Sequence, residues 1–265
     1  MNNILSKILC SLGIVFVFAI PVSAIPSDTT LLAGNVHANS PSRSVMIPAS
    51  VSYPAALQNN TEQFADYVKN FSSNKREYLI KTYKKGEQFF PQVTAILDRY
   101  HLPQELKVLI ALESGFNANV VSRVGAVGYW QLMNVAARHY GLHIAGKAVK
   151  DDRRDLTKST GAAARYLSDM CKDFNNDILL IVAAYNSGAG NVRKAIKKAV
   201  KENSSFWDIK KYLPKETVNY VMNFIALNVI FNNYDNFISN RLTFAPHSTE
   251  IAVLPEISNQ GTHTD

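Results

Sequence analysis

Cysteine is nearly missing from this chain of 265 residues, which holds only Cys10 and Cys171. Cys10 sits inside an N-terminal apolar run that is expected to be removed. Cys171 would then stand alone, which excludes an intramolecular disulfide and leaves stability to the core. Cys10 is also badly placed for lipidation, because it lies within the run and follows Leu9 rather than a small residue. Acidic charge is scarce as well: 21 Asp and Glu face 28 Lys and Arg, a formal net charge of +7. Such a surface suits a polyanionic partner, whether nucleic acid, anionic lipid or an acidic wall polymer. No nucleic-acid motif accompanies the charge, so no nucleic-acid partner is expected. The densest basic run, Arg193 to Lys201, reads as the solvated face of a helix. Strand-type alternation of convincing length within the helical region, tandem repeats and metal-type spacings of His, Cys and Asp are all missing. His139 and His143 stand i, i+4 but without further ligands. Neither metal nor cofactor is expected.

The apolar run near the start is Ile8 to Ile20, 13 residues, short of the roughly 20 a bilayer span needs. Lys7 precedes it, and Pro21 and Val22-Ser23-Ala24 follow. This is the layout of a secretory signal peptide over 1–24, cleaved after Ala24. Export to the periplasm or cell envelope follows as an expectation. Residues 25–60 are rich in Ser, Pro, Ala and Asn without sustained period, and read as a flexible linker.

Hydrophobic residues make up 47% of the chain, enough for a sizeable core. Helical spacing begins near Thr61 with Phe64, Tyr67, Val68 and Phe71 on one face, and continues through Tyr78–Tyr83 and Phe89–Tyr100. Pro103 opens a helix over Gln104–Ser114. Further helices are expected over Thr160–Phe174, with Ser159 or Thr160 as cap, over Ile178–Tyr185 capped by Asp177, and from Pro214 to about Ile230. The expected fold is mainly α. An N-terminal helical segment (61–100) packs on a catalytic domain (101–240), and a disordered tail (241–265) follows.

Three segments carry chemistry. Leu106, Leu109, Ile110 and Glu113 are spaced i, i+3, i+4, i+7, so Glu113 lies on the apolar face of its helix. A carboxylate facing a core is costly to ionise, and burial raises its pKa toward neutrality, as a general acid requires. Spacing alone leaves a second reading open: a structural glutamate with a buried partner. Gly115 is placed to end that helix. Next, Ser122-Arg123-Val124-Gly125-Ala126-Val127-Gly128-Tyr129-Trp130-Gln131-Leu132-Met133 combines two glycines, which allow close approach of a ligand, with aromatic faces and an amide. These suit sugar C–H faces and hydroxyl edges, or else a turn whose aromatics enter the core. Third, Ala184-Tyr185-Asn186-Ser187-Gly188-Ala189-Gly190 closes the most apolar helix. Tyr185 either aims its hydroxyl at a carboxylate or substrate, or is a buried structural tyrosine. Cys171 shares a helical face with Ala163, Tyr166, Leu167, Met170 and Phe174 and reads as a small core residue.

In order and spacing, Glu113-Ser114-Gly115-Phe116-Asn117, Gly125 to Met133 and Ala184-Tyr185-Asn186 resemble the soluble lytic transglycosylases of glycoside hydrolase family 23. The motifs most resemble the membrane-bound murein transglycosylase D type. Leu102 to Leu106, Ser159-Thr160 with Ala162 to Leu167, and Phe206-Trp207 before Leu213 to Thr217 add to the match, which spans about Thr61 to Tyr234. The resemblance implies an α-helical, lysozyme-like fold. It also implies non-hydrolytic cleavage of the β-1,4 bond between N-acetylmuramic acid and N-acetylglucosamine in peptidoglycan glycan strands, leaving a 1,6-anhydro end. It assigns Glu113 as the sole acid/base, and Ser122, Gln131, Met133, Tyr185, Asn186 and Glu216 as substrate-binding, with Glu216 organising the cleft. Association with the cell envelope and a monomer are expected. Asn117-Ala118 and Met133-Asn134-Val135-Ala136-Ala137 depart from the usual Asn-Pro and Met-Pro-x-Thr-Ala, which touches loop rigidity and subsite contacts. The D type usually carries C-terminal LysM modules, whereas only a short tail follows the matched region here. A goose-type hydrolytic muramidase is the alternative, with Asp151, Asp152, Asp155 or Glu216 placing a water. A non-catalytic wall-binding or secretion-assembly protein is a third reading, disfavoured by the intact Glu113.

Overall fold

The computed structural model describes residues 48–144 and 150–244. The expected signal peptide, residues 25–47 of the linker and residues 245–265 of the tail lie outside the described residues. Within them the chain is mainly α. In order the helices are α1 (Ala65–Asn74), α2 (Arg76–Gly86), α3 (Phe90–Arg99), α4 (Leu109–Ser114), α5 (Asn134–His139), α6 (Leu156–Asp173), α7 (Ile178–Ser187), α8 (Ala189–Ala199), α9 (Phe206–Ile209), α10 (Lys215–Asn232) and α11 (Tyr234–Ile238). A short 3₁₀ helix, Gln104–Val108, leads directly into α4, so the expected single helix over Gln104–Ser114 has two parts.

The core is organised around α7. Every residue from Ile178 to Ser187 is buried, as a helix apolar on all sides requires. Asp177 caps it as its sequence position predicts, accepting hydrogen bonds from the Leu179 and Leu180 amides at 3.0 and 3.1 Å. Helices α6, α8 and α10 surround α7, α1 lies against α10, and α3 lies against α6. One continuous cluster runs from Leu57 through Leu109, Trp130 and Ile181 to Phe237. Each fully buried Leu, Ile or Phe in it contributes about 1.5–3 kcal/mol. Residues 61–100 therefore share one core with the rest.

Two boundaries differ from the sequence expectation. Helix α6 starts at Leu156, not Thr160, because Asp155 is its cap and accepts from the Lys158 amide at 2.8 Å. Ser159 and Thr160 are instead fully buried one turn inside. The expected linker and tail also differ where they are described. Ala49–Ser50 (β1) pairs in parallel with Leu242–Thr243 (β2). Asn233 clamps Ser52 from both sides, accepting from its amide at 2.9 Å and donating to its carbonyl at 2.6 Å. Leu57 joins the core. Residues 48–60 and 241–244 are thus pinned by long-range pairing, which local composition does not encode.

Candidate active site

Helix α4 delivers Glu113. Gly115 ends it in the left-handed conformation (φ 56°), its amide donating to the Ala111 carbonyl. That geometry costs glycine little. Phe116 follows, also at positive φ, and is held by stacking on Phe89 at 5.2 Å. Glu113 itself keeps partial solvent access, yet its carboxyl sits among apolar and aromatic groups. Burial raises its pKa from 4.5 to about 7, a rise opposed by a hydrogen bond from Tyr220. A group so placed holds a proton near neutrality and can take it back, as an acid/base must.

Tyr220 is the residue the sequence reading missed. Its hydroxyl donates to Glu113 Oε1 at 2.5 Å from α10, 107 residues away. Two further phenols, Tyr166 on α6 and Tyr185 on α7, stand close enough for the Glu113 charge to act on them. Burial first, and that charge second or third, push all three above the ordinary tyrosine range. A cage of neutral phenols desolvates a carboxylate without neutralising it. The available signal for Tyr220 was its spacing: Glu216 and Tyr220 stand i, i+4 on one face of α10. Glu216 Oε1 is buried and has no protein hydrogen-bond partner.

The glycine-rich segment packs beside α4. The Ser114 hydroxyl donates to the Tyr129 carbonyl at 2.9 Å and so ties the acid's helix to that segment. Gly128 comes so close to its neighbour that an added Cβ would lie 1.9 Å from the Arg153 carbonyl oxygen. The close approach expected of this glycine is to backbone, not to a ligand. Arg153 is itself buried. It pairs with Asp151 at 2.6 Å and donates to the Gly125 and Leu132 carbonyls at 3.3 and 3.2 Å.

Several of the expected site side chains have partners within the protein. Trp130 is fully buried and donates to Thr160 Oγ1 at 2.9 Å, so it is core and offers no face to sugar. Tyr185 donates to the Trp130 carbonyl at 2.7 Å; near Glu113 as it is, its proton is committed to the backbone. Gln131 sits at positive φ and donates to the Val120 and Gly128 carbonyls at 3.1 and 2.9 Å. Ser122 Oγ accepts from the Ala126 amide at 2.9 Å. Both side chains close the loop on itself. Met133 is part-exposed at the start of α5, and Asn186 is buried next to Tyr185 on α7.

Three of the four acids that a water-placing reading offers are engaged elsewhere, Glu216 being the exception. Asp151 serves Arg153, which holds its carboxyl below the ordinary aspartate value. Asp152 receives Lys158 at 2.7 Å and the His143 ring at 3.1 Å, and Asp155 caps α6. Cys171 is half-buried, and burial raises its thiol pKa, the state of an inert core thiol. Among the described residues no three of His, Cys, Asp and Glu converge as metal ligands.

Residues 93–207 match the family profile of the Transglycosylase SLT domain. The chain is 36% identical over 174 residues to the membrane-bound lytic murein transglycosylase D of Escherichia coli K12, covering 65% of this chain and 36% of that protein. It is 28% identical over 136 residues to the soluble lytic murein transglycosylase of the same organism, covering 50% and 21%. A solved lytic transglycosylase from Pseudomonas aeruginosa aligns over 56% of this chain and 24% of its own, at 26% identity and a TM-score of 0.47. The chain spans about a third or less of the length of these relatives. Glu113, the glycine-rich segment, Tyr166 and Tyr185 fall inside residues 93–207, which match the Transglycosylase SLT domain, and Tyr220 lies beyond them.

Proposed function

We propose that the protein is a peptidoglycan lytic transglycosylase with Glu113 as its single acid/base. The observation that carries this reading is a part-exposed carboxyl whose pKa is raised by burial to about 7 inside a ring of three tyrosines. The substrate is the β-1,4 bond between N-acetylmuramic acid and N-acetylglucosamine. Glu113 gives its proton to the leaving glycosidic oxygen as the C1–O bond breaks. The acetamido oxygen of the muramic residue stabilises C1 from the opposite face, so no second carboxylate is needed. The C6 hydroxyl then attacks C1, and its proton passes to Glu113. The ring closes as a 1,6-anhydro end, and the acid is regenerated without water.

Tyr220 positions Glu113 and stabilises its ionised form between the two steps. The Gln131 Oε1, Ser122, Met133, Asn186 and Glu216 side chains contact the sugar, while Tyr185 holds the Trp130 backbone that shapes the cleft. The membrane-bound relative supports action at the cell envelope. One observation favours a second reading: the unpartnered Glu216 Oε1 is the carboxylate left to hold a water, as in a hydrolytic muramidase.

Digestion of purified peptidoglycan with mass analysis of the muramic ends separates the two. Anhydro ends support the lyase, and reducing ends overturn it. Glu113→Gln is expected to reduce turnover by about 10³-fold or more, at the upper part of the range for acid/base groups. Unchanged turnover would remove Glu113 from the chemistry.

A further inference from the structure

The basic run of α8 is more than a solvated helix face. Across residues 189–215, eight lysines and arginines stand against two acids, Glu202 and Asp208, a net +6 within a chain whose total is +7. The fold keeps this charge together, because α8, α9 and the 3₁₀ helix Lys210–Tyr212 pack on one another. Lys194 and Lys198 from α8 and Lys211 from the 3₁₀ helix line one cavity of about 420 Å³, and no acidic residue lines it. Two cations of the segment are engaged: Arg193 with Asp173 at 2.8 Å and Lys201 with Asp208 at 2.7 Å. Lys194, Lys197, Lys198, Lys211 and Lys215 are exposed and, among the described residues, have no ion-pair partner. Like charges gathered without counter-charge attract a polyanion. A second, independent observation concerns Val200. It ends α8 in the left-handed conformation (φ 52°) and is 90% exposed. A β-branched residue is poorly suited to that backbone region, and Asn60, Asn175, Asn203 and Asn240 take exposed positions of this kind elsewhere. Val200 thus holds a strained turn and an uncovered apolar side chain at once. Tyr212, which lines the cavity with Lys198, is exposed as well.

We propose that this face docks on the surface of an anionic phospholipid bilayer, with the lysines against headgroup phosphates and with Val200 and Tyr212 entering the interface. Lysines attract any polyanion, but only a bilayer sets an apolar phase directly behind its anions. That boundary suits lysine stems and a tyrosine ring, each with its polar end turned outward. It also gives Val200 the cover that the folded chain withholds. The cavity, with ammonium groups on both walls, admits the phosphate of one headgroup. Among the described residues no helix is long and apolar enough to cross a membrane, so the contact is with the surface. Each lysine held near such a surface strengthens binding about fivefold, and five of them make a reversible anchor. Salt weakens it, because the screening length falls from about 10 Å at 0.1 M to about 3 Å at 1 M. The inference does not depend on the activity proposed for Glu113: it concerns where the chain is held, not what it cleaves.

The test is co-sedimentation of the full chain with phosphatidylcholine vesicles, prepared with and without phosphatidylglycerol. The apolar run Ile8 to Ile20 partitions into both kinds, so the ratio of the two partition coefficients reads the basic face. That ratio should be on the order of a hundredfold at about 0.1 M salt and collapse toward unity near 1 M. Lys194→Gln, Lys197→Gln, Lys198→Gln and Lys211→Gln combined should lower it by about tenfold or more, with circular dichroism confirming that the fold is kept. Val200→Asn better suits the left-handed turn, so Tm should hold or rise, while partition into the anionic vesicles falls about threefold or more. A lower Tm with unchanged partition would overturn the insertion of Val200. Equal partition of the parent chain into both vesicles, or a ratio unmoved by the four lysine substitutions, would overturn the docking itself. Binding to soluble polyglutamate without any preference for anionic vesicles would do the same, and would assign the face to an acidic polymer.

Discussion

Replacing Glu113 by Gln should change stability in a pH-dependent way that follows from its burial alone. The carboxyl titrates at about 7 in the folded chain and at an ordinary 4.5 when exposed. At about 1.36 kcal/mol per pH unit, that difference corresponds to roughly 3 kcal/mol. The sign follows from proton counts. Between pH 4.5 and 7 the folded protein holds a proton that the unfolded chain has released, so folding stability falls as pH rises through this window. Below 4.5 both states are protonated and the penalty vanishes; above about 7 it is complete. Gln has nearly the same shape, can still accept from Tyr220, and does not titrate. The stability of the substituted chain relative to the parent should therefore increase by about 3 kcal/mol between pH 4 and pH 8. Urea unfolding of both proteins at a series of pH values measures this directly, because other titrating groups cancel in the difference. A difference independent of pH would refute the claim that the Glu113 carboxyl is desolvated, and with it the physical basis for its acid role.

Other outcomes follow from the same geometry. Because one carboxyl supplies the first proton, kcat/KM on glycan strands should fall about tenfold per pH unit above about 7; a profile flat to pH 9 would exclude Glu113 as the acid. Tyr220→Phe removes the hydrogen bond that favours ionised Glu113, and bonds to charged groups are worth about 1.5–3 kcal/mol. The descending limb should move to higher pH by about one unit or more, a shift that a purely structural tyrosine would not produce. Gly128→Ala places a methyl 1.9 Å from the Arg153 carbonyl oxygen at φ +83°. Backbone strain and overpacking together should cost about 3 kcal/mol and lower Tm by roughly 10 °C, read by calorimetry; an unchanged Tm would show that the Arg153 segment yields freely.

The amino-acid sequence by itself determined what depends on near neighbours. Apolar residues at a 3.6 period specify the helices, and an all-apolar run specifies the buried α7. Asp177 and Gly115 act as terminators because capping and the left-handed turn need only atoms a few bonds away. The same logic put Glu113 on the apolar face of its helix. The motif resemblance then favoured an acid over a structural glutamate, since several segments in register carry information that no single spacing holds.

Only the tertiary structure decided which partner each side chain takes. Ser159 and Thr160 are good caps by type, but Asp155 claims the helix start and Thr160 accepts the Trp130 indole. Trp130, Tyr185, Gln131 and Ser122 each have a face or polar group to offer, and the folded chain gives each a partner of its own. Folding brings backbone carbonyls and amides within reach first, and a buried polar group must be satisfied locally before it can serve a substrate. Asp151 and Asp152 were likewise taken by Arg153, Lys158 and His143. Tyr220 was invisible as a partner of Glu113 because the contact joins helices 107 residues apart. Periodicity reports which face of a helix is buried; packing alone reports what that face meets.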